Sequence, residues 1–293
     1  MHTRLAAAAL LSVTAVWGST FFLIKDLLDR LPAADFLAVR FALAAVVMLA
    51  VAPRAVVRLD PIVRRRSVYA GLVYAVAQIL QTIGLGHTDA SVSGFITGLY
   101  VVATPVLASL AFRQRISRTV WTAVALATVG LGILSLRGLT VGFGEALTFV
   151  CAILYAVHIV LLSRWSSARD AYGMATIQMG VIALLCLLVA TPGGLSLPQR
   201  TDDWLAVVYM ALVAGAFAMV AQTWAQGQID ASRAALLMTM EPVFAASFAI
   251  VLGGELLGWR VLVGGALVLA AMMLAEVSGR HETRVGQGCS ATR

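Results

Sequence analysis

The chain has 293 residues, of which 61% are hydrophobic and only 12% charged, with mean hydropathy +0.93. A soluble domain carries about 25% charged residues, so a water-soluble fold of useful size is excluded and an integral membrane protein is implied. The net charge is +7, but the arginines collect in short segments between apolar runs, a pattern that fits membrane topology and not a nucleic-acid partner.

Apolar runs of about 20 residues bounded by charge, Pro or Gly predict an all-α integral membrane protein with ten transmembrane helices. They cover 5–28, 35–53, 67–87, 90–112, 118–137, 143–165, 171–191, 204–228, 231–252 and 259–277. The opening "MHTRLAAAALLSVTAVWGS" has the basic start and small residues of a secretory signal. Its apolar run continues through "TFFLIKDLL" to Leu28, long enough to span, so it is read as a retained first helix.

Ten spans leave both termini on one side. With the N-terminus inside, the inner segments hold fifteen arginines, including Arg54, Arg58 and the Arg64 to Arg66 run, against four in the outer loops. The expectation is a multi-pass protein of the inner (plasma) membrane with both ends cytoplasmic and residues 279–293 as a disordered cytoplasmic tail.

"QTIGLGHTDAS" (Gln81 to Ser91) and "QTWAQGQIDAS" (Gln222 to Ser232) lie 141 residues apart and agree at six of eleven positions without a gap. At that offset span 3 falls on span 8 and span 4 on span 9, so the unit is five helices. Five is odd, and the second unit enters the membrane upside down. The units are 1–138 and 139–278. An inverted pair of bundles has two nearly equivalent arrangements, one open to each side, which points to a transporter. The competing reading is that both stretches are helix ends punctuated by Gly and Asp.

The chain also resembles the drug/metabolite transporter superfamily and, within it, the EamA-type exporters. The residues that carry the resemblance are "WGSTF" (Trp17 to Phe21), "SGFITGLYVV" (Ser93 to Val102) and "EPVFAASFAIVLGGE" (Glu241 to Glu255), and it extends from Leu5 to Val277. It implies ten helices in two repeats and export of amino acids, drugs or other small metabolites. Where the second half has Gly254 and Glu255, the first reads Arg113 and Gln114.

A charge at mid-bilayer costs roughly 2.5 to 3.5 kcal/mol on insertion scales, so each one inside a span needs a reason. Glu241 falls near the middle of span 9, directly before Pro242, whose missing N–H frees the Met238 carbonyl. It either faces a cavity, exchanging a proton or meeting a substrate amine, or it holds the kink by bonding that carbonyl. The repeat maps Glu241 onto Tyr100 and leaves Pro105 one turn further along, so both hairpins carry a proline break beside a polar group.

His158 lies three residues after Tyr155 and maps onto Trp17, so the three are expected on opposite walls of one cavity. His158 is read either as a proton acceptor or as a packed neutral ring bonded to a neighbouring helix. Gln78 with Gln81, and Gln222 with Gln226, form amide stripes suited to a wet pathway or to interhelical bonds. Arg40 and Lys25 are read as outer-surface charges with buried stems, Arg40 pairing with Asp26 or Asp35 or snorkelling out. Gly130, Gly132, Gly264 and Gly265 suit close helix packing.

The candidate solute-binding set is Trp17, Gln78, Gln81, Thr97, Tyr100, Tyr155, His158, Gln222 and Glu241, with Glu241 and His158 as candidate proton-coupling groups. The function expected is secondary export of amino-acid-like, amphipathic or cationic solutes by alternating access, with facilitative exchange as the alternative. The expected partners are a small-molecule solute and the lipid bilayer, with the oligomeric state open. Cys151, Cys186 and Cys289 lack metal-ligand spacing, and G-x-S-x-G and H-E-x-x-H motifs are missing. Neither a metal, a cofactor nor an enzyme is expected.

Overall fold

The computed structural model describes residues 2–111, 118–137, 140–191, 194–229, 231, 234 and 237–290, with side chains described within these except at 2–3, 111, 120, 134–137, 140 and 275–290. Arg113, Gln114, Asp230 and Ser232, and the expected tail from 279, therefore fall outside the described side chains. Apart from a two-residue antiparallel ladder pairing Leu136–Arg137 with Thr140–Val141, the described elements are helical.

In chain order they are α1 (His2–Leu28), α2 (Ala33–Val51), the short α3 (Pro53–Val57), α4 (Pro61–Leu85), α5 (Ala90–Thr97), α6 (Tyr100–Ala111) and α7 (Arg118–Ser135). There follow α8 (Phe143–Trp165), α9 (Ala171–Ala190), α10 (Thr201–Ala211), a π-helical turn at Leu212–Phe217, α11 (Ala218–Gln226), a 3-10 turn at Met238–Met240, α12 (Glu241–Val251) and α13 (Trp259–Ser290). Among the described residues, seven helical segments are long and apolar enough to cross a membrane, and three shorter apolar helices cover Trp121–Ile133, Met238–Val251 and Trp259–Leu274. Leu49, Trp121, Leu188 and Leu262 stay exposed on the outside of the bundle, as lipid-facing side chains do.

The boundaries differ from the apolar runs where polar chemistry sets them. α4 begins six residues before the expected start, because the Asp60 carboxylate accepts the Ile62 N–H at 2.8 Å and Pro61 occupies the first turn. This is an N-cap with proline just inside it, strong enough to carry Arg64 to Arg66 into the helix.

The expected break in span 4 is also displaced. Pro105 sits inside α6, while the interruption falls at Gly98 and Leu99, around which the N–H groups of Leu99, Val101 and Val102 reach back three residues instead of four. A Cβ at Gly98 would overlap Pro242 Cγ and Met272 Cε. Glycine is thus required there by the close approach of the α5–α6 break to Pro242.

α1 packs on α12 and α11, α4 on α8 and α9, α2 on α9, α5 on α12, α6 on α8, and α7 on α13. Small residues allow the crossings: a Cβ on Gly18 would lie 2.5 Å from Phe244 Cβ, and one on Gly130 2.9 Å from the Gly264 carbonyl.

Polar groups collect at both ends of the bundle. At the first end Lys25 donates to the Thr88 carbonyl and approaches Asp89, Glu255 accepts from Ala90 N (2.6 Å) and Ser91 N (3.2 Å), and Thr88 Oγ1 donates to Glu145. Arg30 joins Asp26 to Asp203, and the hydrogen bond it donates to Asp26 is the leading reason its guanidinium is held protonated beyond its ordinary range. At the opposite end Tyr172 donates to the Met48 carbonyl, Arg66 stacks over Trp165, and Gln226 reaches Ser163.

Candidate functional site

Between the two ends lies a cavity of about 40 Å³, lined by Trp17, Thr20, Phe21 and Ile24 of α1, Arg40 of α2, Tyr74, Gln78 and Gln81 of α4, and Tyr100 of α6. Tyr155, His158 and Ile159 of α8, Gln222 of α11, Met238 and Glu241 complete the wall. A water needs roughly 10 to 15 Å³ by this measure, so the cavity holds a few waters and must widen to admit a metabolite.

Eight of the nine sequence-derived solute-binding candidates meet on this wall. Thr97 does not: it stands behind Gln81 and accepts from Gln81 Nε2 at 3.2 Å. Arg40, Tyr74 and Thr20 were missed. Tyr74 and Thr20 had a usable signal, one turn before Gln78 and three residues after Trp17.

Glu241 is buried, 5% exposed, at the start of α12. Its Oε2 lies 2.8 Å from the Tyr100 hydroxyl, which also lies 3.1 Å from the Met238 carbonyl. The carbonyl freed by Pro242 is thus met by the Tyr100 hydroxyl and by the Glu241 backbone N–H, not by the Glu241 carboxyl. One phenolic proton faces two acceptors, so ionisation of the carboxyl draws that proton from the carbonyl at the helix break. Any protonation change at Glu241 is thereby tied to the hydrogen bonding of the interruption itself.

The α8 side is a polar-aromatic cluster. The Tyr155 hydroxyl donates to Gln81 Oε1 at 2.8 Å, and the Tyr74 ring lies 4.8 Å from His158 and 5.4 Å from Tyr155. His158 Nε2 is 2.8 Å from Gln178 Oε1 of α9, the interhelical partner of the second reading of this histidine. Gln78 donates to the Tyr74 hydroxyl. The carbonyl oxygens of Gln78 and Gln222 have no hydrogen-bond partner among the described residues. An unmet buried acceptor is costly, and both residues lie on the cavity wall.

On the other side the π-helical turn re-aims backbone groups, as such turns do at functional sites. Trp17 Nε1 donates to the Ala214 carbonyl at 2.9 Å, and Arg40 Nε to the Met210 carbonyl at 3.2 Å.

Arg40 corrects the surface reading. It is 2% exposed and faces the cavity, and neither acid named for it is its partner. Asp26 is taken by Arg30, and Asp35 accepts the Ser196 N–H at 3.0 Å. The α2 axis starts at Ala33, and an arginine two turns along it points inward to the aromatic wall of Phe36 and Phe41 and not outward to water.

The EamA-like transporter family model matches residues 4–136 and again 142–276. A protein of Archaeoglobus fulgidus named an uncharacterized transporter is 28% identical over 90% of this chain and 83% of its own length. The uncharacterized inner membrane transporter YedA of Escherichia coli is 26% identical over 91% of this chain and 89% of its own. A probable terminal-alkyne amino-acid exporter of Streptantibioticus cattleyicolor is 26% identical over 42% of this chain and 44% of its own. A crystal structure at 20% identity superposes with TM-score 0.67 over 94% of this chain and 98% of that one, a likeness of fold.

Proposed function

We propose that this chain, which belongs to the EamA-like transporter family and is a multi-pass membrane transporter of small molecules, works as a secondary exporter by alternating access around the central cavity. The names of its relatives point to a non-enzyme.

The proposed framework is ten spans in two units, residues 1–138 and 139–278, related by a pseudo-two-fold axis in the membrane plane. The observation that carries it is the Tyr100–Glu241 hydrogen bond, between residues 141 apart in sequence, the offset of the repeat. Further support comes from the helix interruptions, at Gly98–Leu99 and within Met238–Met240, which correspond at that offset. Gly86 lies beside Leu28 while Gly227 lies beside Ser167, so these equivalents sit at opposite ends of the bundle. The double family match is consistent with the same division.

In this reading the end bearing Lys25, Asp89 and Glu255 faces outward, both termini are cytoplasmic, and rocking of the two halves widens the cavity toward each side in turn. Glu241 is the proposed proton-coupling group, with His158 second. The solute is proposed to be a small amphipathic or amino-acid-like metabolite, which the amides, tyrosines and Trp17 suit, and the partial relative named an amino-acid exporter supports. Facilitative exchange without proton coupling is favoured by one observation, the engagement of His158 by Gln178.

The test is solute counterflow in proteoliposomes at two pH values with wild type and Glu241→Gln. Exchange that depends on pH in wild type and loses that dependence in the variant supports the assignment. An unchanged dependence removes Glu241 as the proton carrier.

A further inference from the structure

We infer that Arg40 is the anion subsite of the cavity and that the transported solute carries a carboxylate, which its guanidinium receives. The inference rests on the reading of the cavity as the solute site and narrows its substrate class.

Three observations carry it. First, Arg40 is 2% exposed and lines the cavity, yet no Asp or Glu lies within 4.0 Å of it among the described residues. Second, its one hydrogen bond to a described residue is from Nε to the Met210 carbonyl, so the terminal nitrogens keep their N–H donors unused. Third, its guanidinium is steered by Phe41 and Phe36, at 4.9 and 5.9 Å from the ring centroids, which leaves the fork pre-oriented. The one acid on the cavity wall, Glu241, is engaged by Tyr100.

A buried cation without a counter-charge is unfavourable by several kcal/mol. The cost of a guanidinium so placed on a solute cavity is offset by receiving an anion of matching shape. The planar fork matches a carboxylate by two parallel N–H···O bonds. A phosphate monoester carries about −1.5 to −2, which one guanidinium cannot neutralise, and among the described residues no second Lys or Arg lines the cavity. The chemistry thus favours carboxylates over phosphates. It disfavours solutes whose only charge is positive, which the wider class of amphipathic or cationic solutes would have admitted.

The probes are benzoate, phenylalanine, phenethylamine and tetraphenylphosphonium, a set that separates the carboxylate from the aromatic body and from a lone cation. The purified full chain is tested for ligand-induced shifts in Tm as wild type, Arg40→Lys and Arg40→Met, and counterflow is measured with each probe that binds. Benzoate or phenylalanine is expected to stabilise wild type and the two cations are not. Arg40→Lys should weaken the carboxylate by about tenfold or more, the worth of a charged bidentate contact. Arg40→Met should abolish the shift while its ligand-free Tm stays level or rises. Should the Met variant not fold, the Lys variant alone decides. Stabilisation by the cations alone, equal responses in wild type and variants, or no response to either carboxylate overturns the assignment. Transport of a cation would leave the exporter reading standing while Arg40 falls. Carboxylate binding that needs Arg40 but yields no counterflow would do the reverse.

Discussion

The Tyr100 hydroxyl and the Glu241 carboxylate meet at 2.8 Å although 141 residues separate them, and 141 is also the spacing at which the sequence repeats. Two residues exchanged by a two-fold operation are separated by twice their distance from the axis. A contact between such equivalents therefore puts both within a few ångströms of the proposed axis, at the centre of the cavity, where any movement of one half against the other is felt first. The proposed coupling of Glu241 protonation to rocking of the halves rests on that position.

Tyr100→Phe removes the donor shared by Glu241 and the Met238 carbonyl while keeping the ring. The Met238 carbonyl keeps the Glu241 backbone N–H, but leaving the buried Glu241 carboxyl unmet is expected to lower stability by about 1 to 3 kcal/mol, visible as a lower Tm in detergent, with exchange reduced more than expression. An unchanged Tm would mean that the contact contributes nothing to the fold.

Proton coupling separates the two candidate groups. Glu241→Gln is expected to fold, because an amide still accepts from Tyr100, and to exchange solute with no dependence on pH. His158→Asn loses its ring against Tyr74 and its contact with Gln178, so stability should fall while the pH profile keeps its shape. A flattened profile in the histidine variant and an intact one in Glu241→Gln would reverse the roles.

Gly98 faces Pro242 and Met272 with no room for a side chain. Gly98→Val forces the α5–α6 break away from α12, and overpacking of this kind costs about 1 to 3 kcal/mol. The expected outcome is a lower Tm and lost counterflow, with Gly180→Ala, where a Cβ meets nothing within 4 Å, as a neutral control. Equal behaviour of the two variants would remove the close approach from the account.

At the first end, Glu255 closes onto the backbone of α5 and Lys25 onto Thr88 and Asp89. Neutralising both, as Lys25→Ala with Glu255→Gln, should loosen this end and speed thiol labelling of Ile24→Cys, a cavity-wall position, by a membrane-impermeant reagent from outside. Labelling no faster than with the single cysteine variant would show that these contacts do not gate the cavity.

Much of the helical arrangement was legible in the sequence because hydrophobic period acts over long stretches. The apolar runs located the long helices, and the Trp17, Tyr155 and His158 spacing anticipated a shared wall, while the Gln81 and Gln222 repeat is the basis of the proposed pairing of the halves. The remainder depends on contacts between segments. Whether Arg40 snorkels or turns inward is decided by Phe36, Phe41 and the Met210 carbonyl, and the last belongs to α10, far along the chain. Proline drew the expected break to Pro105, whereas the backbone yields at Gly98 because Pro242 presses there from another helix. Capping moved the α4 boundary, since hydropathy stops at Arg66 while the hydrogen bond that starts the helix is at Asp60.

The central claim is that the two halves are antiparallel in the membrane. In a variant lacking Cys151, Cys186 and Cys289, single cysteines at Asp89 and Asp230 are labelled in intact cells with an impermeant maleimide and again after permeabilisation. Asp89→Cys is expected to react from outside and Asp230→Cys only once the cytoplasm is opened. Reaction of both from the same compartment would contradict it.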